Sequence, residues 1–154
     1  MGEIVLNGGM EQFTDNVPTN WATTTPTAIS EEDAQGRVHS GESSVNIGDG
    51  GILTQTILGI NAGCYYDFSF FARGEGAQVG LIATVTFLTM GGDVPGGTIS
   101  IRQQDIPTDN RNFAYYRIST TQAPVGVTGV RISFAVTADG EQSLDLDDVS
   151  LTVQ

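Results

Sequence analysis

Carboxylates stand near both ends of this chain with no cation beside them. Glu11 closes the run Leu6-Asn7-Gly8-Gly9-Met10-Glu11, and Asp145, Asp147 and Asp148 lie in Leu144-Asp145-Leu146-Asp147-Asp148-Val149-Ser150-Leu151. Both runs set the acids among hydrophobic residues of strand type. Carboxylates brought together repel unless a hard cation sits between their oxygens. The pattern predicts first and last segments that pair in one sheet, with their acids converging on a shared cation, calcium.

A second group of residues suits binding. From Cys64 to Arg73 the side chains alternate: Tyr66, Phe68, Phe70 and Ala72 share one face, and Tyr65, Asp67, Ser69, Phe71 and Arg73 the other. The first set reads as core, the second as the half-exposed face of an antiparallel sheet. Exposed aromatics beside Asp and Arg suit a sugar ring, which offers flat C–H patches and a rim of hydroxyls. Tyr115, Arg117 and Gln122 extend this face if their strand lies alongside. Trp21 reads as a loop anchor against the core, and Cys64 as a small packed hydrophobe.

Catalytic chemistry has less support. Glycoside hydrolysis needs two carboxylates at a fixed separation, one with a raised pKa. Asp145, Asp147 and Asp148 are too close in sequence to identify such a pair. His39, with Ser40 and Ser44 nearby, lacks a nucleophile-elbow motif and an oxyanion hole, and reads as a turn residue. The glycine-rich runs lack the Lys and helix context of a phosphate loop. The chain is not expected to be an enzyme.

The elements that position these residues are strands. Period-two alternation recurs at Val130, Ile132, Phe134 and Val136, from Gln78 to Leu88, from Gly50 to Leu58 and around Val45-Asn46-Ile47. Thr98 to Ile101 and Tyr115 to Thr120 complete the set. Turn signals separate them at Gly48-Asp49-Gly50-Gly51, Asn61-Ala62-Gly63, Gly91-Gly92-Asp93, Pro95-Gly96-Gly97 and Asp139-Gly140. Thr14 to Asp33 and Asp105 to Asn112 read as loops. With 154 residues and no internal repeat, the chain is predicted to form one all-β domain over residues 1–154, a β-sandwich of two antiparallel sheets.

Composition narrows the partners. The net charge is −12, and all six basic residues are Arg. Nucleic acid is excluded as a phosphate-bound partner, since that requires clustered cations, and an anionic membrane is disfavoured. One cysteine allows no intrachain disulfide. No run approaches the ~20 apolar residues of a membrane span. Met1-Gly2-Glu3 is not a secretory signal. The chain is expected to be cytoplasmic or, as its composition favours, a module of a larger exported protein at the cell or spore surface.

Taken in order, the motifs resemble the carbohydrate-binding modules of families 4, 9 and 22. Asn7 to Glu11 is similar to their "NGdFE" opening and Pro18 to Trp21 to "P.gW". Val38 to Val45 resembles "v.sG..sl", Leu53-Thr54-Gln55 resembles "l.Q", and Gly63 to Arg73 resembles "G..Y.lsfwar". Leu146 to Leu151 is similar to "iDDVsl". The resemblance implies a jelly roll, a structural calcium and glycan binding on the concave sheet. Carried over residue by residue, the calcium ligands become Glu11, Asp147 or Asp148, the Gly9 carbonyl, and carbonyls from Ser40 through Glu42 to Ser44. Phe71 stands where the family has Trp. The stretches Asp105-Ile106-Pro107 and Tyr116 to Pro124 also resemble the head domains that precede collagen-like regions in Firmicute surface and spore proteins. That likeness implies an alternative role as an assembly domain, a homo-oligomer with Phe71 and Tyr115 in a subunit interface.

Overall fold

The computed structural model describes residues 2–154. It is an all-β jelly-roll sandwich. One sheet has five strands: β3 (Ile29–Glu32), β4 (Ser44–Gly48), β11 (Ser143–Val153), β6 (Tyr66–Glu75) and β9 (Ala114–Ser119), in that spatial order. The other has four: β5 (Ile52–Leu58), β10 (Val127–Ala138), β7 (Val79–Thr89) and β8 (Gly92–Ile101). A small hairpin, β1 (Phe13–Thr14) with β2 (Val17–Pro18), precedes them. Every strand pair is antiparallel.

Alternation explains the packing. Tyr66, Phe68, Phe70 and Ala72 of β6 point inward and meet Val130, Ile132, Phe134 and Val136 of β10, all of them buried. Phe134 joins the two sheets, with ring centroids 5.9 Å from Phe68 and 5.2 Å from Phe70. Trp21 closes one side of this core as its loop position predicts. Its ring lies 6.0 Å from Phe134, and its indole N–H donates to the Asn7 carbonyl. Burying a side chain of this kind contributes about 1.5–3 kcal/mol.

The chain ends meet as expected. β11 pairs with β4 along Ser143–Leu146, and beyond that the N-terminal segment takes over the same edge. Ile4 N–H donates to the Leu151 carbonyl, Val149 N–H donates to the Gly8 carbonyl, and Glu3 bridges to Thr152.

Two expectations need correction. Residues 14–33 are not one loop: they contain β1–β2, a 3₁₀ turn (Pro26–Ala28) and the edge strand β3. β3 buries only Ile29, so it carries no alternation for a sequence reading to detect. Pro95-Gly96-Gly97 is not a turn but lies within β8, where the register against β7 shifts between Val85 and Thr86. Proline and glycine are tolerated there because β8 is an edge strand with a bulge.

Candidate functional site

The outer face of the five-stranded sheet carries most of the residues singled out by sequence, and it has two halves. Over one half the chain folds back on itself. Asp145, Asp147, Phe71 and Arg73 lie on this face by alternation, yet Asp145 and Asp147 are fully buried and Arg73 is 2% exposed. Loops 33–43 and 102–113 cover them.

Beneath these loops lies a charge network. Arg73 Nη1 is 2.6 Å from Asp145 Oδ2, and Arg37 reaches the same carboxylate through Nε at 3.0 Å and Nη2 at 3.1 Å. Arg73 also donates to the carbonyls of Thr108 and Asp109, which ties down the second loop. Burial works to lower the Arg37 pKa, but the bonded Asp145 together with Glu32 and Glu75 raises it overall. Arg73 is therefore not a ligand-binding residue here. Its guanidinium is consumed internally, because a buried cation must be paired.

Next to this network the ends of the chain are knotted to one turn. Glu11 Oε1 accepts the Glu42 N–H at 2.8 Å and Oε2 accepts the Ser43 N–H at 3.1 Å. Asp147 Oδ2 accepts the N–H groups of His39 and Ser40, and its Oδ1 accepts the N–H of Asp148. The register of β11 against β6 shifts between Asp147 and Ser150, and Asp148 sits at φ +50°. This bulge aims Asp148 Oδ2 at His39 Nδ1 and at the Ser40 hydroxyl, each 2.6 Å away. Burial and the neighbouring Asp148 charge push the Asp147 carboxyl up to about 7, against the pull of its three N–H donors.

The structure brings Glu11, Asp147, Asp148, Gly9 and Ser40 together around the 39–43 turn. Calcium needs six to eight oxygen ligands. These carboxylates instead face N–H and O–H donors. Glu42 contributes its backbone N–H, and its side chain is exposed. Ser44 is buried in β4 with its hydroxyl on the Arg37 carbonyl. Among the described residues no group of three or more His, Cys, Asp and Glu is arranged to hold a metal ion.

His39 is the residue that sequence reasoning missed. Its ring stacks on Phe71 with centroids 3.6 Å apart and planes 17° from parallel, and it meets Phe113 edge-on at 5.6 Å. Phe71 in turn lies 4.9 Å from Tyr115. Phe71 is therefore a half-buried member of an aromatic cluster rather than an open platform. Nothing in the run Val38-His39-Ser40 signals this, since the stacking depends on a loop crossing the sheet.

The other half of the face is open. β6 and β9 pair Asp67 with Ser119, Ser69 with Arg117 and Phe71 with Tyr115. Tyr115 is 54% exposed and Tyr65 47% exposed, at opposite ends of this strip. Between them Arg117 bonds to Asp67, and Asp67 also accepts from Gln154 and Ser119. The Gln154 bond, together with the charge and hydrogen bond of Arg117 and the Ser119 hydroxyl, holds the Asp67 carboxyl below its ordinary range, so it stays ionised. Gln122 turns away and donates to the Gly63 carbonyl. A polar hollow of about 760 Å³ lies over the covered half of the face, bordered by Glu31, Asp33, His39, Glu42 and Arg111. It has no open aromatic platform.

Neither a protein-family profile nor a curated protein sequence matches the chain. Solved structures do match in fold. A family 61 carbohydrate-binding module, solved with β-1,4-galactotriose, is 18% identical with a TM-score of 0.75, and the match covers 99% of both chains. A family 16 carbohydrate-binding module is 11% identical with a TM-score of 0.72, covering 97% of this chain and 99% of that one. The enzymatically active domain of tailspike protein 4 of bacteriophage CBA120 is 19% identical with a TM-score of 0.71, and this chain spans 21% of it. The chain has the jelly-roll architecture of carbohydrate-binding modules.

Proposed function

We propose that this domain binds a glycan without transforming it, on the open strip between Tyr65 and Tyr115. One observation carries this reading: two exposed tyrosines flank an ionised Asp67–Arg117 pair on a rigid sheet. Tyrosine faces accept the C–H side of a sugar ring, while Asp67, Arg117 and Ser119 offer hydrogen bonds to its hydroxyls. Ring stacking and hydrogen bonding need no proton transfer. The carboxylates nearest the strip are already engaged, Asp145 by two arginines and Asp147 by three backbone N–H groups. The fold shared with carbohydrate-binding modules supports the same reading. The matching fold is about a fifth of the tailspike chain, which supports reading this domain as one module of a larger protein.

Titration calorimetry against a glycan panel tests the proposal, beginning with β-1,4-galactotriose, the sugar in the family 61 structure. Tyr115→Ala should weaken binding by roughly tenfold, about 1.4 kcal/mol, without lowering the melting temperature. Absence of binding to every soluble and insoluble glycan in the panel overturns the reading.

A further inference from the structure

The two ends of the sandwich differ in charge. At one end the chain turns through residues 59–65, 90–91 and 120–126, none of which is charged. At the other, the loops carry Asp33, Arg37, Glu42, Asp105, Asp109 and Arg111, among others. In a chain of net charge −12 this is a strong segregation.

The uncharged end is also apolar at its tips. Leu58 is 74% exposed, Met90 93% and Val125 94%. They come from three separate connections, but the register gathers them. Leu58 opposes Gly129, which opposes Leu88, while Thr89 opposes Val127 on one side and Gly92 on the other. Neighbouring strands lie about 4.8 Å apart, so these tips share one small surface. Beside them opens a crevice of about 270 Å³, lined by Ile57, Leu58, Ile60, Cys64, Tyr66 and Val153 among others. The charged groups near this end are already engaged. Glu3 accepts the N–H groups of Val5 and Leu151, and Asp93 pairs with Arg131.

We propose that this end is a self-association surface, whose occupant is a second copy of the same chain. Exposed aliphatic tips mark an interaction site, particularly where they converge. One surface holds both the protruding side chains and an apolar crevice, so a two-fold arrangement can seat the tips of each copy against the crevice of the other. Charge decides between occupants. Two copies meeting at this end keep their acidic loops at opposite extremes of the dimer, which minimises repulsion. An anionic bilayer would meet an end with no basic rim to attract it.

Sedimentation equilibrium of the purified chain tests this, with Leu58→Ser/Met90→Ser/Val125→Ser as the disrupting variant and Tyr115→Ala as control. The expected result is a monomer–dimer equilibrium for the wild type and the control, and a monomer for the triple variant with an unchanged melting temperature. All three substitutions lie at exposed positions, so folding is preserved. A wild type that stays monomeric at high micromolar concentration overturns the proposal, as does a triple variant that still dimerises. Co-sedimentation of the wild type with phosphatidylcholine vesicles, abolished in the triple variant, assigns the end to lipid and also overturns it. Tyr115 lies at the end of the strip away from these tips, so loss of glycan binding and loss of dimerisation are read independently.

Discussion

Asp147 shows how one residue can carry a cost that the fold tolerates. Its carboxyl is fully buried beside Asp148 and titrates near 7 in the folded protein, against an ordinary carboxyl value of about 3.9 when unfolded. The folded state therefore holds the proton more tightly than the unfolded state. Between these two values stability falls as pH rises, and above the upper one the slope vanishes. Thermal melts should show a midpoint that declines from about pH 4.5 to about pH 7.5, and Asp147→Asn should flatten that decline. A midpoint that rises over the same interval would contradict the assignment. Arg73 is the complementary case. With Arg37 it keeps Asp145 from being a bare buried charge, so its role is internal although the sequence offers it as a sugar contact.

Among the elements, the turn that crosses the five-stranded sheet decides the most. Residues 39–43 bind both ends of the chain, through Glu11 on one side and Asp147 with Asp148 on the other. Gly41 sits at φ +71°, and a Cβ there would lie 2.6 Å from the Glu11 carboxyl. Gly50 has a similar φ of +75° with nothing within 4 Å. Gly50→Ala should therefore cost only the left-handed strain, about 1–2 kcal/mol. Gly41→Ala should cost more, about 3 kcal/mol, because the clamp is forced apart as well. Urea unfolding of the two variants side by side checks this, and equal losses would mean that the Glu11 contact contributes nothing.

At the scale of the molecule, the knot of chain ends and turn is held by hydrogen bonds between carboxylates and backbone N–H groups. Scanning calorimetry with and without added calcium tests the cation that the resemblance implies: excess chelator should lower the melting temperature. A melting temperature unchanged by excess chelator would show that these hydrogen bonds hold the knot without a cation. The charged loops and the uncharged turns lie at opposite ends of the sandwich, so the molecule presents one end suited to solvent, one suited to a partner and a side face suited to a ligand.

Period-two alternation and turn residues were enough to read the sandwich from the sequence, because strand side chains point to a face according to position parity alone. The meeting of the N-terminal segment with β11 was legible too, as acids placed among strand hydrophobics at both ends. What the acids face was not legible. Whether Glu11 and Asp147 meet a cation or a row of N–H groups depends on how loop 33–43 crosses the sheet. Parity likewise puts Phe71 and Arg73 outward, but only the loops above them decide that outward means buried for Arg73, half-covered for Phe71 and open for Tyr115. Long-range loop placement has no local signature, so tertiary structure alone separated the covered half of the face from the half that can bind.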